Sequence, residues 1–398
     1  MIIILYIYKI IKFSRMKYIF LIVTIIFFSC NEGVKQKTEK EKEIKVKPVV
    51  RNLKLIDEIN KAFDTILIRN KFNGQILIEK DGEIIIEQCV GVTNIKDTNK
   101  IKPETQFHIA SVSKTFTGML TLKLHEEGKL NFKDSVTKYL PLFPYKNVTI
   151  NQLLSHTSIL PDYANFININ KIDLLKILKR KDITALDKNE TKYFNNQDIL
   201  DFIIKFKPSP ESNPKFEFHY CNTNYVILAL IIEKITNQDF PTVLENYIFK
   251  KYDLKNTFVF NLKTIDKYIP SYKENNVQYG IEPFDLIYGD KNIYSTTRDL
   301  LKWDKILKSN DFLKKETLDI AYEPKSNLTK DLKTYGFGWR ILVPKNEDKI
   351  IYHNGWWHGN NSAFVRLIKE NAVVIILGNK YNNAIYADKP FIDILRKY

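Results

Sequence analysis

Glycine is scarce in this chain, at 13 of 398 residues. Turns that suit glycine must therefore be made by residues for which a left-handed backbone is strained. Cysteine is scarcer still. Cys30, Cys89 and Cys221 are the whole set, and no two fall in a Cys-x-x-Cys pair. His-Glu-x-x-His is absent as well, so a zinc or iron–sulfur site is not expected, and no metal or cofactor is assigned. Cys89 lies in a strand-like run and Cys221 in a site-lining one, so a disulfide between them is not expected. The chain has no Gly-x-Ser-x-Gly elbow, which removes the usual signature of Ser-His-Asp chemistry, and no Lys-Thr-Gly. Zinc-knuckle, basic-region and RNA-binding aromatic motifs are also missing. The net charge of +15 (61 − 46) thus reads as lysines scattered over a solvated surface, with no nucleic-acid partner.

A hydrophobic content of 44% with 13% aromatics supports a substantial core. The length fits two domains or one composite domain. Arg15-Met16-Lys17 followed by the apolar Tyr18–Phe28 run describes an export signal, too short to span a bilayer. Met16 is the better translation start. Phe27-Phe28-Ser29-Cys30 resembles a bacterial lipobox, in which Cys30 is lipidated. The expected organisation is a signal over 1–29, a charged tether over 30–52 and a folded domain over 53–398. That places an exported, membrane-anchored lipoprotein at the periplasmic or cell surface. Within the domain, 53–130 and 310–398 form an α/β part and 131–309 a helical part.

Leu53–Ile68 has apolar residues at helical spacing, and Gly74–Glu79 and Glu83–Val90 flank Asp81-Gly82, a hairpin signal. Helices are read at Thr149–Ser155, Asn224–Lys234, Thr297–Leu307 and Pro390–Lys397. Period-two runs follow at Gly336–Leu342, Lys349–His353, Ser362–Ile368 and Ala372–Leu377. Strands at both ends and helices between predict an α/β (α+β) fold. An antiparallel sheet is drawn from both chain ends and flanked by helices, with an inserted, mostly helical domain.

The chemistry centres on Phe107–Leu124. Ser111 and Lys114 lie one helical turn apart at the start of an apolar-faced helix, setting a hydroxyl beside an amine near free backbone N–H groups. Ser-x-x-Lys occurs four times, at Ser14, Ser111, Ser135 and Ser212, but only Ser111 opens such a helix. Tyr-x-Asn occurs six times. Tyr220-Cys221-Asn222 is singled out because it follows a proline-rich approach and immediately precedes a strongly apolar helix. His353-Asn354-Gly355 occurs once, at a strand end, where Gly355 permits close backbone approach.

In this order, and with the segments GKLNFKDSVTKYLP, TINQLLSHTS, YSTTRDLLKW and YGFGW, the chain resembles the serine β-lactamase and penicillin-binding superfamily. The likeness is to its class C β-lactamase-like branch of esterases, DD-peptidases and D-aminopeptidases, over about 72–379. The resemblance implies that Ser111 is the acylated nucleophile, Lys114 assists its deprotonation, and Tyr220 acts as base. The division between Lys114 and Tyr220 stays open. It also implies that Asn222 binds the substrate's amide side and that His353 replaces the usual lysine. The backbone N–H groups of Ser111 and Trp356 would form the oxyanion hole. The implied activity is hydrolysis of small esters or amides, D-amino-acid-type or β-lactam-like, through an acyl-enzyme. The alternatives are a class C-like β-lactamase or DD-carboxypeptidase, and a non-catalytic penicillin-recognising module. The expected partner is a small-molecule or peptide substrate. The sequence departs from the family pattern at Ile159, Lys215, Cys221 and Lys251-Tyr252-Asp253-Leu254, and in the bulky Gly355-Trp356-Trp357-His358-Gly359 turn.

Overall fold

The computed structural model describes residues 52–165, 193–210, 217–326 and 332–398. The expected signal, Cys30 and the tether to 51, together with Lys215, lie outside the described residues. Among the described residues no helix is long and apolar enough to cross a membrane.

Helix α1 (Leu53–Phe63) runs into a π-helical turn over Asp64–Ile68. Strands β1 (Gly74–Lys80) and β2 (Glu83–Val90) form the hairpin, with both Asp81 and Gly82 at positive φ, as a tight two-residue turn requires. At the other end of the chain lie β6 (Lys333–Tyr335), β7 (Arg340–Leu342), β8 (Ile350–Trp357), β9 (Asn360–Leu367) and β10 (Ala372–Gly378). All seven join one antiparallel sheet of order β2-β1-β10-β9-β8-β7-β6, in which Gly74 pairs with Gly378. The sheet is thus closed by the first and last strands, as the sequence pattern implies.

The two-residue period of these strands sorts their side chains between two cores. On one face Ile76, Ile78, Val374 and Ile376 pack with Leu55, Ile59 and Phe63 of α1 and with Phe391 and Leu395 of the C-terminal helix (Lys389–Lys397). On the other, Leu77, Val373, Ile375 and Leu377 meet α2 (Ser113–Glu126) and the helical part. That part contains α3 (Ile150–Ser155), α4 (Asn196–Phe206), α5 (Asn222–Thr236), α6 (Phe240–Leu244) and α7 (Thr297–Ser309), and α8 (Lys315–Ala321) follows it. Thr149 and Gln152 form a reciprocal capping box on α3. Trp303 of α7 is fully buried and stacks on Phe116 of α2, and Trp339 is buried too.

The structure departs from the expected elements in two places. Gly336–Leu342 is not one strand: Gly336–Trp339 is the turn between β6 and β7, closed by Gly336 N–H donating to Trp339 O at 2.8 Å. A second sheet joins β3 (Phe107–His108) to β4 (Phe258–Val259) and β5 (Ile293–Ser295), the last two lying in the part expected to be mostly helical. The glycine shortage is met as anticipated, since His156, Lys207, Asn237 and Asn310 end helices in the left-handed conformation that glycine commonly supplies.

Candidate active site

Ser111 sits in the 3-10 turn Ala110–Val112, two residues before α2, rather than on the helix proper. Ala110 is held at φ 47°, and its N–H donates to His108 Nδ1 at 3.1 Å. One turn on, Lys114 is fully buried. Its Nζ donates to Ser111 Oγ (3.0 Å), Asn222 Oδ1 (2.9 Å) and the Asp290 carbonyl (2.7 Å), so its three donors have three acceptors. Gly118 of α2 and Gly338 of the β6–β7 turn pack face to face. A Cβ on Gly338 would stand 3.0 Å from Lys114 O, so this contact fixes the turn against the lysine's own helix.

Tyr220 and Cys221 precede α5, and Asn222 is that helix's first residue, not its cap. The segment 156–163 braces them. His156 Nδ1 accepts from Cys221 N–H (3.1 Å), and Asp162 Oδ2 accepts from Asn222 N–H (2.7 Å). Cys221 Sγ donates to Leu160 O (3.2 Å), and both Cys221 and Cys89 are free thiols. His156 thus braces the start of α5 from the neighbouring loop. Two cations face the Tyr220 ring, Lys114 Nζ at 5.0 Å and Arg340 Cζ at 4.9 Å from its centroid.

From the sheet side, β8 reaches the serine through Gly355. A Cβ there would collide with Ile109 O and stand 2.9 Å from Ser111 N, so only glycine lets the strand come this close. Trp356, 62% exposed, packs its edge on Tyr381, and Trp357 Nε1 donates to Asp285 Oδ1 at 2.7 Å. Both tryptophans wall an open cavity of about 510 Å³ that also takes in Ser111, Tyr220, Asn222 and Gly355.

His353 corrects the sequence reading. It is fully buried and does not line the cavity. Nε2 is hydrogen-bonded with Tyr335 OH (2.9 Å), and Nδ1 with the Asn354 carbonyl (2.8 Å). Burial, then the charges of Arg340 and Lys114, push its pKa well below the usual imidazole value, so it is neutral at pH 7. It therefore cannot stand in as the cavity's cation. Arg340, Lys333 and Lys291 bring positive charge to the cavity wall, and sequence reasoning missed all three. It also missed the buried pair Asp290–Lys291, whose only signal was its place just before the Tyr294–Trp303 block, with two residues between. Burial pushes the Lys291 ammonium below its usual pKa, opposed by Asp290 and Asp285.

Ser111 bonded to a buried lysine, with Tyr220 on the same cavity and Gly355 of β8 against the serine's own N–H, is the arrangement the sequence motifs anticipate for a serine hydrolase of the Ser-x-x-Lys class. The beta-lactamase family model matches residues 61–393, and the chain belongs to that family. It is 30% identical to penicillin-binding protein 4* of Bacillus subtilis over 344 residues, which cover 81% of this chain and 72% of that protein. It is 26% identical to protein flp of Staphylococcus aureus, covering 82% of this chain and 64% of flp. A penicillin-binding protein from Bacillus halodurans shares the fold with a TM-score of 0.70 at 24% identity, covering 84% of this chain and 98% of that one. A D-stereospecific amidohydrolase from Streptomyces sp. does so at 0.66 and 18% identity, covering 83% and 97%.

Proposed function

We propose that the protein hydrolyses small esters or amides through an acyl-enzyme on Ser111, and that the group beside the scissile bond carries a carboxylate. The observation that carries the reading is the 3.0 Å contact from Lys114 Nζ to Ser111 Oγ inside a cavity that Tyr220 shares. Ser111 Oγ attacks the carbonyl carbon and its proton passes to the Lys114–Tyr220 pair. The oxyanion is received by the N–H groups of Ser111 and Trp356. The pair returns the proton to the departing alcohol or amine, which leaves Ser111 acylated. Water, deprotonated by the same pair, then attacks the ester and frees the acid.

Arg340 supports the carboxylate. Arg340 lines the cavity with its guanidinium over the Tyr220 ring, and among the described residues no carboxylate is paired with it. A planar guanidinium fork suits a carboxylate bidentately, and it supplies the positive charge that neutral His353 does not.

Steady-state hydrolysis of a panel tests the reading: a D-amino-acid peptide with a free C-terminus, its C-terminal amide, a neutral aryl ester and a chromogenic cephalosporin. The expected order places the free-carboxylate peptide above its amide in kcat/KM. Equal rates for the two would refute the carboxylate, and no turnover on the whole panel would refute the hydrolase. A cephalosporin far ahead of the rest would favour the β-lactamase reading. Against that order stand Trp356 and Trp357, which narrow the cavity where a glycine-rich turn would leave room.

A further inference from the structure

The Trp356 N–H that serves the oxyanion belongs to the same peptide unit as the Gly355 carbonyl. In a trans peptide these two groups point in opposite directions. Among the described residues no peptide is cis, so whatever anchors the Gly355 carbonyl also aims the Trp356 N–H. The anchor is Tyr386, whose hydroxyl donates to Gly355 O at 2.7 Å. Tyr386 ends the 3-10 turn Asn383–Tyr386 after β10 and itself lines the cavity. Asn382 caps that turn, its Oδ1 accepting from Ala384 N–H at 2.9 Å.

The direction of the Tyr386 bond is set away from the serine. The backbone N–H of Asn382 can only donate, and it donates to Asn361 Oδ1 at 3.0 Å. This turns the Asn361 amide nitrogen toward Tyr386 OH, at 2.6 Å. The Tyr386 oxygen is then an acceptor on that side, and its own proton is left for Gly355 O. Asn361 is fully buried, so bulk water does not reorder the bonds. Burial pushes the Tyr386 hydroxyl up to about 12, so it keeps its proton at neutral pH. Four donors thus run head to tail: Asn382 N–H, the Asn361 amide, the Tyr386 hydroxyl and, across one peptide, Trp356 N–H. Hydrogen bonds in such a chain polarise one another.

We propose that Tyr386 is a positioning residue for the reaction, aiming the Trp356 N–H at the oxyanion and strengthening it as a donor through the Gly355 carbonyl, with Asn361 setting the direction of its proton. This deepens the hydrolase reading and rests on it. The gain appears as negative charge develops on the substrate oxygen, so it belongs to the transition state and not to substrate binding.

Steady-state hydrolysis of p-nitrophenyl acetate and inhibition by phenylboronic acid, whose tetrahedral serine adduct carries an oxygen into the oxyanion site, test the proposal. Tyr386→Phe keeps the ring and removes only the hydroxyl. It should lower kcat and kcat/KM together by roughly 3–10-fold, the range for a neutral hydrogen bond, with KM unmoved and phenylboronic acid weakened by a similar factor. Asn361→Asp removes the donor to Tyr386, and the new carboxylate draws the tyrosine proton away from Gly355. It should reproduce the Tyr386→Phe losses, and the double variant should be no slower than either single one. Unchanged kcat and boronic acid affinity in Tyr386→Phe would overturn the proposal. So would a loss confined to KM, which would make the hydroxyl a substrate contact, and so would additive losses in the double variant. The thermal midpoint reports folding; if Tyr386→Phe does not fold, Asn361→Asp is judged by the same kcat and boronic acid criteria. Labelling of Ser111 by a fluorophosphonate reports separately on the hydrolase. Labelling with wild-type turnover in Tyr386→Phe sinks only the Tyr386 proposal. A wild-type protein that neither labels nor turns over sinks both.

Discussion

A buried lysine needs acceptors for its donors, and Lys114 finds one in each of three segments: Ser111, Asn222 and the carbonyl of Asp290. The residue that touches Ser111, the proposed nucleophile, also ties together the three chain segments around it. Arg340 is the opposite case, a cation that no carboxylate among the described residues neutralises, poised over Tyr220. Arg340→Gln should raise KM for substrates with a free carboxylate roughly 10–100-fold, the value of a charged hydrogen bond, and leave their amides unmoved. An equal effect on both would show that Arg340 serves Tyr220 and not the substrate. Ser111, Lys114, Tyr220 and Gly355 could be read in the sequence because spacing and order made three weak motifs agree. Arg340, Asp290 and Lys291 could not. In a chain with 61 basic and 46 acidic residues a single charge carries no pattern, and only its place in the tertiary structure picks it out. His353 misled for the same reason. Its motif placed it correctly on β8, but the burial that keeps it neutral is a tertiary property.

Among the elements, the end of β8 controls the site. Gly355 lets the strand lie against the Ser111 peptide, and any side chain there meets Ile109 O and Ser111 N. Gly355→Ala should therefore lower kcat roughly 10²–10³-fold, the usual cost of one oxyanion donor. Near-wild-type kcat in that variant would mean that β8 does not shape the oxyanion site. The long strands were legible because their alternation divides two cores, with Ile76 and Ile78 on one face and Leu77 on the other. Strands β3, β4 and β5 have two or three residues each, too few for a period to register. The β6–β7 turn was hidden differently. Tyr335 to Trp339 is apolar enough to continue a strand, and what bends it is the fit of Gly338 onto α2.

At the scale of the whole molecule, three histidines among the described residues are buried: His108, His156 and His353. Burial lowers all three pKa values, that of His108 to about 3. The unfolded chain takes up these protons near pH 6.5 and the folded chain does not, so stability falls as pH drops below 6.5. The slope is about 1 kcal/mol per pH unit for each histidine. Asp388, raised to about 6 by burial, works the other way, because its folded form gains a proton first. Three groups outweigh one, so the thermal midpoint should fall between pH 7 and pH 5.5; a flat or rising midpoint would contradict the neutral, buried assignment. The sheet that joins both chain ends was legible in the sequence, whereas the packing of 156–163 against the start of α5, which sets Tyr220 before Ser111, was not.

The central claim is that Ser111 is a nucleophile activated by Lys114. The intact mass of the protein after incubation with a fluorophosphonate, with the adduct mapped by peptide sequencing, tests it most directly. The expected result is one adduct, on Ser111, lost in Ser111→Ala and strongly slowed in Lys114→Met. An unmodified protein, or an adduct on another residue that persists in Ser111→Ala, would contradict it.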